Sequence, residues 1–179
     1  MKTKTIAFAA FFLLLFQSCK MENTPEEYFD ITTLNTNIFF EFGAGDFKRM
    51  QQDKNAGQLM AYDDKGTFKA KSYEDHIRRF KLPYLVNAIE KIKELKPTDE
   101  TEAMINASLE LFDFVKKKYE TDYIRTAQLL DKNVSQEEID KAIIKMDTDN
   151  SAEFNRRYQK LWNLSLPYAK KHGIEVKTY

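Results

Sequence analysis

The chain has few side chains suited to metal or nucleophile chemistry. It contains two histidines, His76 and His172, and one cysteine, Cys19, in 179 residues. A di-iron site in a helical bundle requires Glu-x-x-His motifs on facing helices. Tyr73 occupies the glutamate position before His76, and Ala169 occupies it before the second histidine. Covalent haem requires a Cys-x-x-Cys-His motif, which a single cysteine excludes, so we expect no metal site and no cofactor.

One acidic stretch has the composition of a calcium loop. Residues 147–151 read Asp-Thr-Asp-Asn-Ser, but an EF-hand loop needs glycine at its sixth position and glutamate at its twelfth. Ala152 and Tyr158 stand at those positions, so a polar kink in a helix is the better interpretation. The segment Gly43-Ala44-Gly45 is too short for a phosphate-binding loop. We therefore predict no catalytic residues and a protein that is not an enzyme.

The best-defined motif lies at the N-terminus. Lys2 and Lys4 make the start of the chain positive, and residues 6–16 form an apolar run of eleven residues. A membrane-spanning helix needs roughly 20 apolar residues, so this run fits the core of a secretory signal peptide better than a membrane anchor. The run leads directly into Phe16-Gln17-Ser18-Cys19.

This four-residue segment resembles the lipobox of bacterial lipoproteins. In that family a small residue precedes a cysteine that is acylated and becomes the first residue after cleavage. Ser18 and Cys19 match the pattern, whereas Phe16 and Gln17 depart from the smaller residues preferred there. The resemblance implies a signal peptide over residues 1–18, a lipid on Cys19, and a lipidated cysteine and spacer over residues 19–24.

The cysteine count agrees with acylation. An unpaired thiol in an exported domain would be reactive, whereas a thioether to lipid consumes it. One acyl chain binds a membrane only marginally, but the two or three chains of a bacterial lipoprotein hold essentially permanently. We therefore expect an exported protein that is lipid-anchored to a bacterial membrane, on the periplasmic face of the outer membrane or on the cell surface.

Charge and size limit the function classes. Removal of residues 1–18 takes two lysines from the 28 basic residues and leaves 26 against 28 acidic ones, a net charge of −2. Nucleic-acid binders usually show a basic excess, so no nucleic-acid partner is expected. The remaining chain is long enough for one domain, which we place at residues 25–179.

Hydrophobic periodicity predicts four long amphipathic helices in that domain. They begin near Thr24, Ser72, Asp99 and Ser135, and three of these starts carry a threonine or serine suited to N-capping. The segment 53–71 has no helical pattern and is expected to be irregular, although its turn residues would allow a small hairpin. The sequence therefore predicts an all-α fold: an elongated antiparallel (up-down) four-helix bundle with kinked helices and one irregular loop around 53–71.

The layout of an acylated cysteine, a short spacer and one helical domain resembles uncharacterised surface lipoproteins of Gram-negative bacteria, including the leptospiral surface-protein type. This resemblance implies an envelope or surface role. We expect a non-enzymatic protein-binding or structural role, with a protein partner contacted through an exposed apolar patch of the bundle or through the 53–71 loop. The alternative is a carrier of a small hydrophobic ligand or cofactor, held in an internal cavity beside Phe42, Phe80 or Trp162. His172 would be the available ligand for a non-covalent haem.

Overall fold

The computed structural model describes residues 23–176, most of which are helical. The predicted signal peptide and Cys19 lie outside the described residues. None of the described helices is both long and apolar enough to cross a membrane. The elements in chain order are α1 Pro25–Thr33, a 3-10 segment Leu34–Phe39, α2 Ala44–Asn55, β1 Met60–Asp63, β2 Gly66–Lys69, α3 Tyr73–His76, a first π turn Ile77–Lys81, α4 Leu82–Glu94, α5 Glu102–Lys118, a second π turn Tyr119–Tyr123, α6 Ile124–Asp131 and α7 Gln136–Lys171.

Side-chain caps fix three of the predicted helix starts. The Thr24 hydroxyl accepts from the Glu27 N–H at 3.2 Å, and the Glu27 carboxylate accepts from the Thr24 N–H at 2.9 Å. Ser72 caps α3 through the Asp75 N–H, and Ser135 caps α7 through the Glu138 N–H. Each cap satisfies backbone donors that have no partner within the helix, so these predicted starts are confirmed.

Helix α7 is one uninterrupted helix of 36 residues. It passes through residues 147–151 and through Pro167 as a continuous α-helix. The polar side chains are accommodated by contacts along and across helices. The Asn150 amide donates to the Met146 carbonyl at 2.7 Å and to the Asp122 carboxylate at 3.2 Å. A helix of this length spans about 54 Å.

Long-range contacts define the two ends of the helical domain. At one end, which we call the Asn23 end, the Tyr28 hydroxyl donates to the Lys96 carbonyl at 2.6 Å, and Lys171 pairs with Glu100 at 2.8 Å. At the other end, the Asp131 carboxylate accepts from the backbone of Tyr73 at 2.8 Å. We call this second end the hairpin end, because the two strands precede Tyr73. Helix α5 lies between the Asn23 end and the hairpin end, and it packs against both α4 and α7.

The prediction of an all-α fold with an irregular loop around 53–71 is wrong in that segment. Helix α2 continues to Asn55, and β1 and β2 pair antiparallel with Asp63 opposite Gly66. The two-residue turn is stabilised by a hydrogen bond of 2.9 Å from the Lys65 N–H to the Asp63 carboxylate, and Gly66 has φ 118°, a conformation that favours glycine. Strands of four residues with one fully buried side chain, Ala61, are too short to produce a recognisable alternation.

The hairpin packs on the first π turn and its flanks. The His76 imidazole lies 2.6 Å from the Met60 carbonyl through Nδ1, which must carry the proton because a carbonyl only accepts. Arg79 pairs with Asp63 at 3.1 Å and lies over the Phe68 ring. Burial lowers the pKa of His76, and the Lys81 charge lowers it further, while the Met60 carbonyl, Asp46 and Asp53 oppose the shift.

The lowered pKa of His76 makes the stability of the fold depend on pH. Because the unfolded chain binds this proton more readily, the contribution of neutral His76 is fully present above the ordinary pKa of about 6.5. It is lost as pH falls from there through the lower pKa of the folded state. We expect the difference in unfolding free energy between wild type and His76→Gln to shrink as pH falls from about 7.5 to 5. Urea unfolding of both proteins measures this, and a difference that stays constant with pH would contradict it.

Candidate functional site

The chain between α1 and α2 departs from helical geometry and presents apolar side chains to solvent. In a 3-10 helix every third side chain falls on the same face, so Leu34, Asn37 and Phe40 follow one edge. All three are exposed, and Phe40 is 72% and Leu34 49% accessible. We call these three residues the outer ridge. Phe40 is an exposed aromatic side chain on a segment that is otherwise anchored in the core.

The inner side of the same segment is buried in an aromatic cluster. The Phe39 ring meets the Phe112 ring edge-on at 5.0 Å, and the Phe42 ring stacks on Phe154 at 4.5 Å. Aromatic pairs in these arrangements contribute about 0.5–1.5 kcal/mol beyond the area they bury. The ridge is therefore held in place by large side chains on both sides of Phe40.

Beneath this segment lies a buried polar cluster formed by Asp46, Lys81, Tyr119 and Tyr123, which we call the buried network. The Lys81 ammonium lies 2.5 Å from one oxygen of the Asp46 carboxylate, and the Tyr119 hydroxyl donates to the other at 2.6 Å. The side chains of the ion pair are only 9% and 5% exposed. Each oxygen of the buried carboxylate thus has a donor, as a buried charge requires.

The network also satisfies backbone groups where the helix is broken. The Gly43 N–H donates to the Tyr123 hydroxyl at 2.6 Å, and Lys81 donates to the Ile38 carbonyl at 3.5 Å. On the far side of the break, Asp147 accepts from the Ala44 N–H at 3.1 Å, the first N–H of α2. The acidic stretch of α7 therefore contributes a cap for another helix.

Gly43 cannot be replaced without strain. Its φ is 103°, which L side chains rarely adopt, and a Cβ atom there would overlap the Asp147 carboxylate. The close approach of α7 and the turn into α2 both depend on the missing side chain. Gly43 is thus fitted to a specific contact with α7.

Both π turns deliver residues to the network. Lys81 ends the first turn, and Tyr119 and Tyr123 begin and end the second. Because a π turn has i→i+5 hydrogen bonds, it changes the direction of the following side chains without ending the helix. The centroids of the two tyrosine rings lie 4.3 Å apart, and the rings are tilted by 51° to each other. Such turns occur frequently at functional sites.

The electrostatics of the network favour a fixed arrangement of protons. Burial, followed by the nearby Asp46 charge, raises the pKa of Tyr119 and the pKa of Tyr123 well above 10. Both phenols therefore keep their protons at neutral pH. Tyr119 acts as a donor to the carboxylate, so the arrangement serves to position the backbone of the broken segment.

The residues expected to surround a carried ligand contact other side chains of the protein. Phe42 stacks on Phe154, as described above, while the Phe80 ring lies 5.2 Å from the His76 ring. The Trp162 ring meets Phe29 edge-on at 6.3 Å. His172, the candidate haem ligand, places Nε2 3.0 Å from the Glu100 carboxylate at the Asn23 end.

Two of the spaces among the described residues are grooves open to solvent. One of about 700 Å³ follows α5 and α7 beside Glu110 and Lys160. The other, of about 720 Å³, lies at the hairpin end beside Lys54, Tyr73 and Asp131. Neither coincides with the buried network or with the expected ligand residues.

Sequence reasoning missed the central ion pair. Both tyrosines of the network are fully buried. Asp46 and Lys81 gave no signal, because an acid in the first turn of a helix and a lysine after two arginines both resemble solvated surface residues. Comparisons with protein-family models, with curated proteins and with solved structures found no match to this chain.

The ion pair should dominate the effect of mutations in the network. Replacing Asp46 with Asn leaves the Lys81 charge buried without its partner, which typically costs about 3–5 kcal/mol. Adding Lys81→Met removes that charge, so we expect the double variant to be more stable than Asp46→Asn alone. Urea unfolding of the single and double variants measures this coupling.

The exposed pair Lys116–Glu120, 2.5 Å apart, is the matched control. The corresponding variants Glu120→Gln and Lys116→Met should each change the unfolding free energy by less than about 1 kcal/mol, because solvent screens the pair. Purely additive effects of the Asp46 and Lys81 substitutions would show that the two charges do not interact as described.

Proposed function

We propose that this protein is an exported, lipid-anchored envelope or surface protein with a non-enzymatic protein-binding role, and that the outer ridge contacts the partner. The observation that supports the proposal best is Phe40, an aromatic side chain 72% exposed on an anchored segment. Aromatic side chains are enriched among the few residues that supply most of the binding free energy at interfaces. A segment that is ordered beforehand loses less conformational entropy on binding.

We further propose that the helical segments form the elongated up-down bundle expected from the sequence, with rods at residues 25–55, 73–94, 102–131 and 136–171. Contacts at both ends support this arrangement. Tyr28 contacts Lys96 and Glu100 contacts Lys171 at one end, while Tyr73 contacts Asp131 at the other. Successive rods would then run in opposite directions.

The position of Asn23 supports an orientation for the anchored protein. Cys19 precedes Asn23 by four residues, and an extended chain spans at most about 3.6 Å per residue. A lipid on Cys19 would therefore hold the Asn23 end within about 15 Å of the membrane. The hairpin end would face away from the membrane, and the outer ridge would lie between the Asn23 end and the hairpin end.

The anchor makes a direct prediction about covalent modification. In a Gram-negative host fed an alkyne fatty acid, we expect the wild-type chain to be labelled and to require detergent for release from membranes. Intact-mass analysis should find Cys19 as the first residue, carrying a diacylglyceryl group. Cys19→Ser should lose the label while its circular dichroism keeps the helical signal. A wild-type chain that retains residues 1–18 and a free thiol would refute the anchor.

The binding role is tested by site-specific photocrosslinking in the same cells. A benzophenone amino acid replaces Phe40 in one version and Ile144 in another. Ile144 is a matched control because it is 64% exposed but lies on the regular helix α7. We expect an adduct of one reproducible mass from position 40 and none from position 144.

A competition experiment tests whether the crosslinked adduct depends on the outer ridge. Excess unlabelled wild type should suppress the adduct, whereas excess Phe40→Ser should not. That variant should unfold within about 0.5 kcal/mol of wild type, because the side chain lies at the surface. Equal adducts from both positions, or equal suppression by both competitors, would argue against a binding role for Phe40.

A further inference from the structure

The groove at the hairpin end is built from three separate stretches of the chain. Its walls come from the end of α2, from residues 71–73 and from the turn between α6 and α7, and its volume is about 720 Å³. This is within the range of small-molecule sites. Leu130 and Ile139, both 6% exposed, form an apolar floor. The groove is therefore a concave site on the packed core, distinct from the outer ridge and from the buried network.

The walls are held together by hydrogen bonds that need no ligand. The two oxygens of the Asp131 carboxylate accept from the backbone N–H groups of Tyr73 at 2.8 Å and Glu74 at 3.0 Å. The Lys54 ammonium donates to the Lys71 carbonyl at 2.9 Å, which joins α2 to the opposite wall. A site whose walls are fixed in advance loses little free energy to ordering when a ligand enters.

The lining carries an excess of positive charge. Its charged side chains are two lysines, Lys54 and Lys71, and one aspartate, Asp131. Within residues 23–176 neither lysine forms an ion pair with a carboxylate, and the Lys54 ammonium lies 5.5 Å from the centroid of the Tyr73 ring. Since the aspartate already accepts two backbone hydrogen bonds, the groove offers donors to an incoming anion more readily than acceptors to a cation.

The remaining lining is rich in groups that donate and accept hydrogen bonds. Gln51, Asn55 and Asn133 line the groove, and the side-chain amide of each offers two N–H donors and an acceptor. In the described part of the chain, no protein group forms a hydrogen bond with these amides or with the Tyr73 hydroxyl. Neighbouring hydroxyl groups of a ligand could use both the donors and the acceptors of such amides.

We propose that this groove binds a carboxylated sugar. The carboxylate faces Lys54 and Lys71, and the hydroxyls of the sugar ring face the amides and the Tyr73 hydroxyl. An apolar ligand would leave these polar groups without partners, and a simple anion would use only the lysines. The proposal is independent of the outer ridge and of any protein partner.

The test is a titration of the full chain in detergent micelles with each small compound, monitored by ligand-observed NMR. Glucuronate, glucose and propionate are compared, because glucose lacks the carboxylate and propionate lacks the hydroxyls. We expect glucuronate to bind at least about tenfold more tightly than either, because glucose lacks the charge-assisted hydrogen bonds to the lysines and propionate lacks the hydrogen bonds of the sugar hydroxyls. A glucuronate-containing oligosaccharide then tests whether the sugar is recognised free or within a polymer, and tighter binding of the oligomer would identify the polymer as the source.

Variants assign the binding to the groove. Lys54→Gln should weaken glucuronate binding about tenfold and Tyr73→Phe about threefold. The control, Lys65→Gln, changes an exposed lysine in the hairpin turn and should leave the affinity unchanged. Thermal unfolding confirms that each variant is folded.

Three results would overturn the proposal. The first is no binding of glucuronate at about 10 mM. The second is equal affinity for glucuronate and either simpler compound, since the site would then recognise only hydroxyls or only a negative charge. The third is an affinity that Lys54→Gln does not change.

Discussion

The structure depends on the pairing of Asp46 with Lys81 beneath a broken helix. Removing two charges from water costs several kcal/mol each, and the cost is recovered only when geometry and additional hydrogen bonds are favourable. Here Tyr119 supplies the second donor to the carboxylate, and Lys81 reaches a backbone carbonyl. The three elements that carry the network, α2 and the two π turns, are therefore fixed relative to one another and to the broken segment. An apolar contact of the same size would resist sliding less, because hydrophobic burial is not directional.

The polar groups have a specific reason to be inside. A helix that stops at Thr33 and resumes at Ala44 leaves backbone donors and acceptors without their usual partners. Buried backbone groups in this position must find other partners or destabilise the fold. The Tyr123 hydroxyl accepts from the Gly43 N–H, and Asp147 accepts from the next one. The second π turn brings Tyr123 inward, so an irregularity in one helix compensates for the break in another.

Local chemistry made much of the helical content predictable. Thr24, Ser72 and Ser135 cap helices where the sequence indicated, because capping depends on residues only three positions apart. The sequence predicted the hairpin only as an alternative to an irregular loop, since its pairing rests on short strands and on the turn at Gly66. Lys81 was missed for a different reason. Its burial depends on a partner 35 residues away and on a π turn, and neither has a local signature.

The same reasoning supports the proposed role of the break in binding. A continuous helix from residue 25 to residue 55 would satisfy its own backbone and would need neither a buried ion pair nor a glycine at φ 103°. The observed arrangement uses several costly features to hold a segment of about ten residues. This segment adds an exposed edge on which Phe40 has a fixed position. Strained or costly local features cluster at sites that act on another molecule, and this supports the proposed role of the outer ridge. The geometry of the break is therefore a better guide to the proposed contact surface than the regular faces of the other helices.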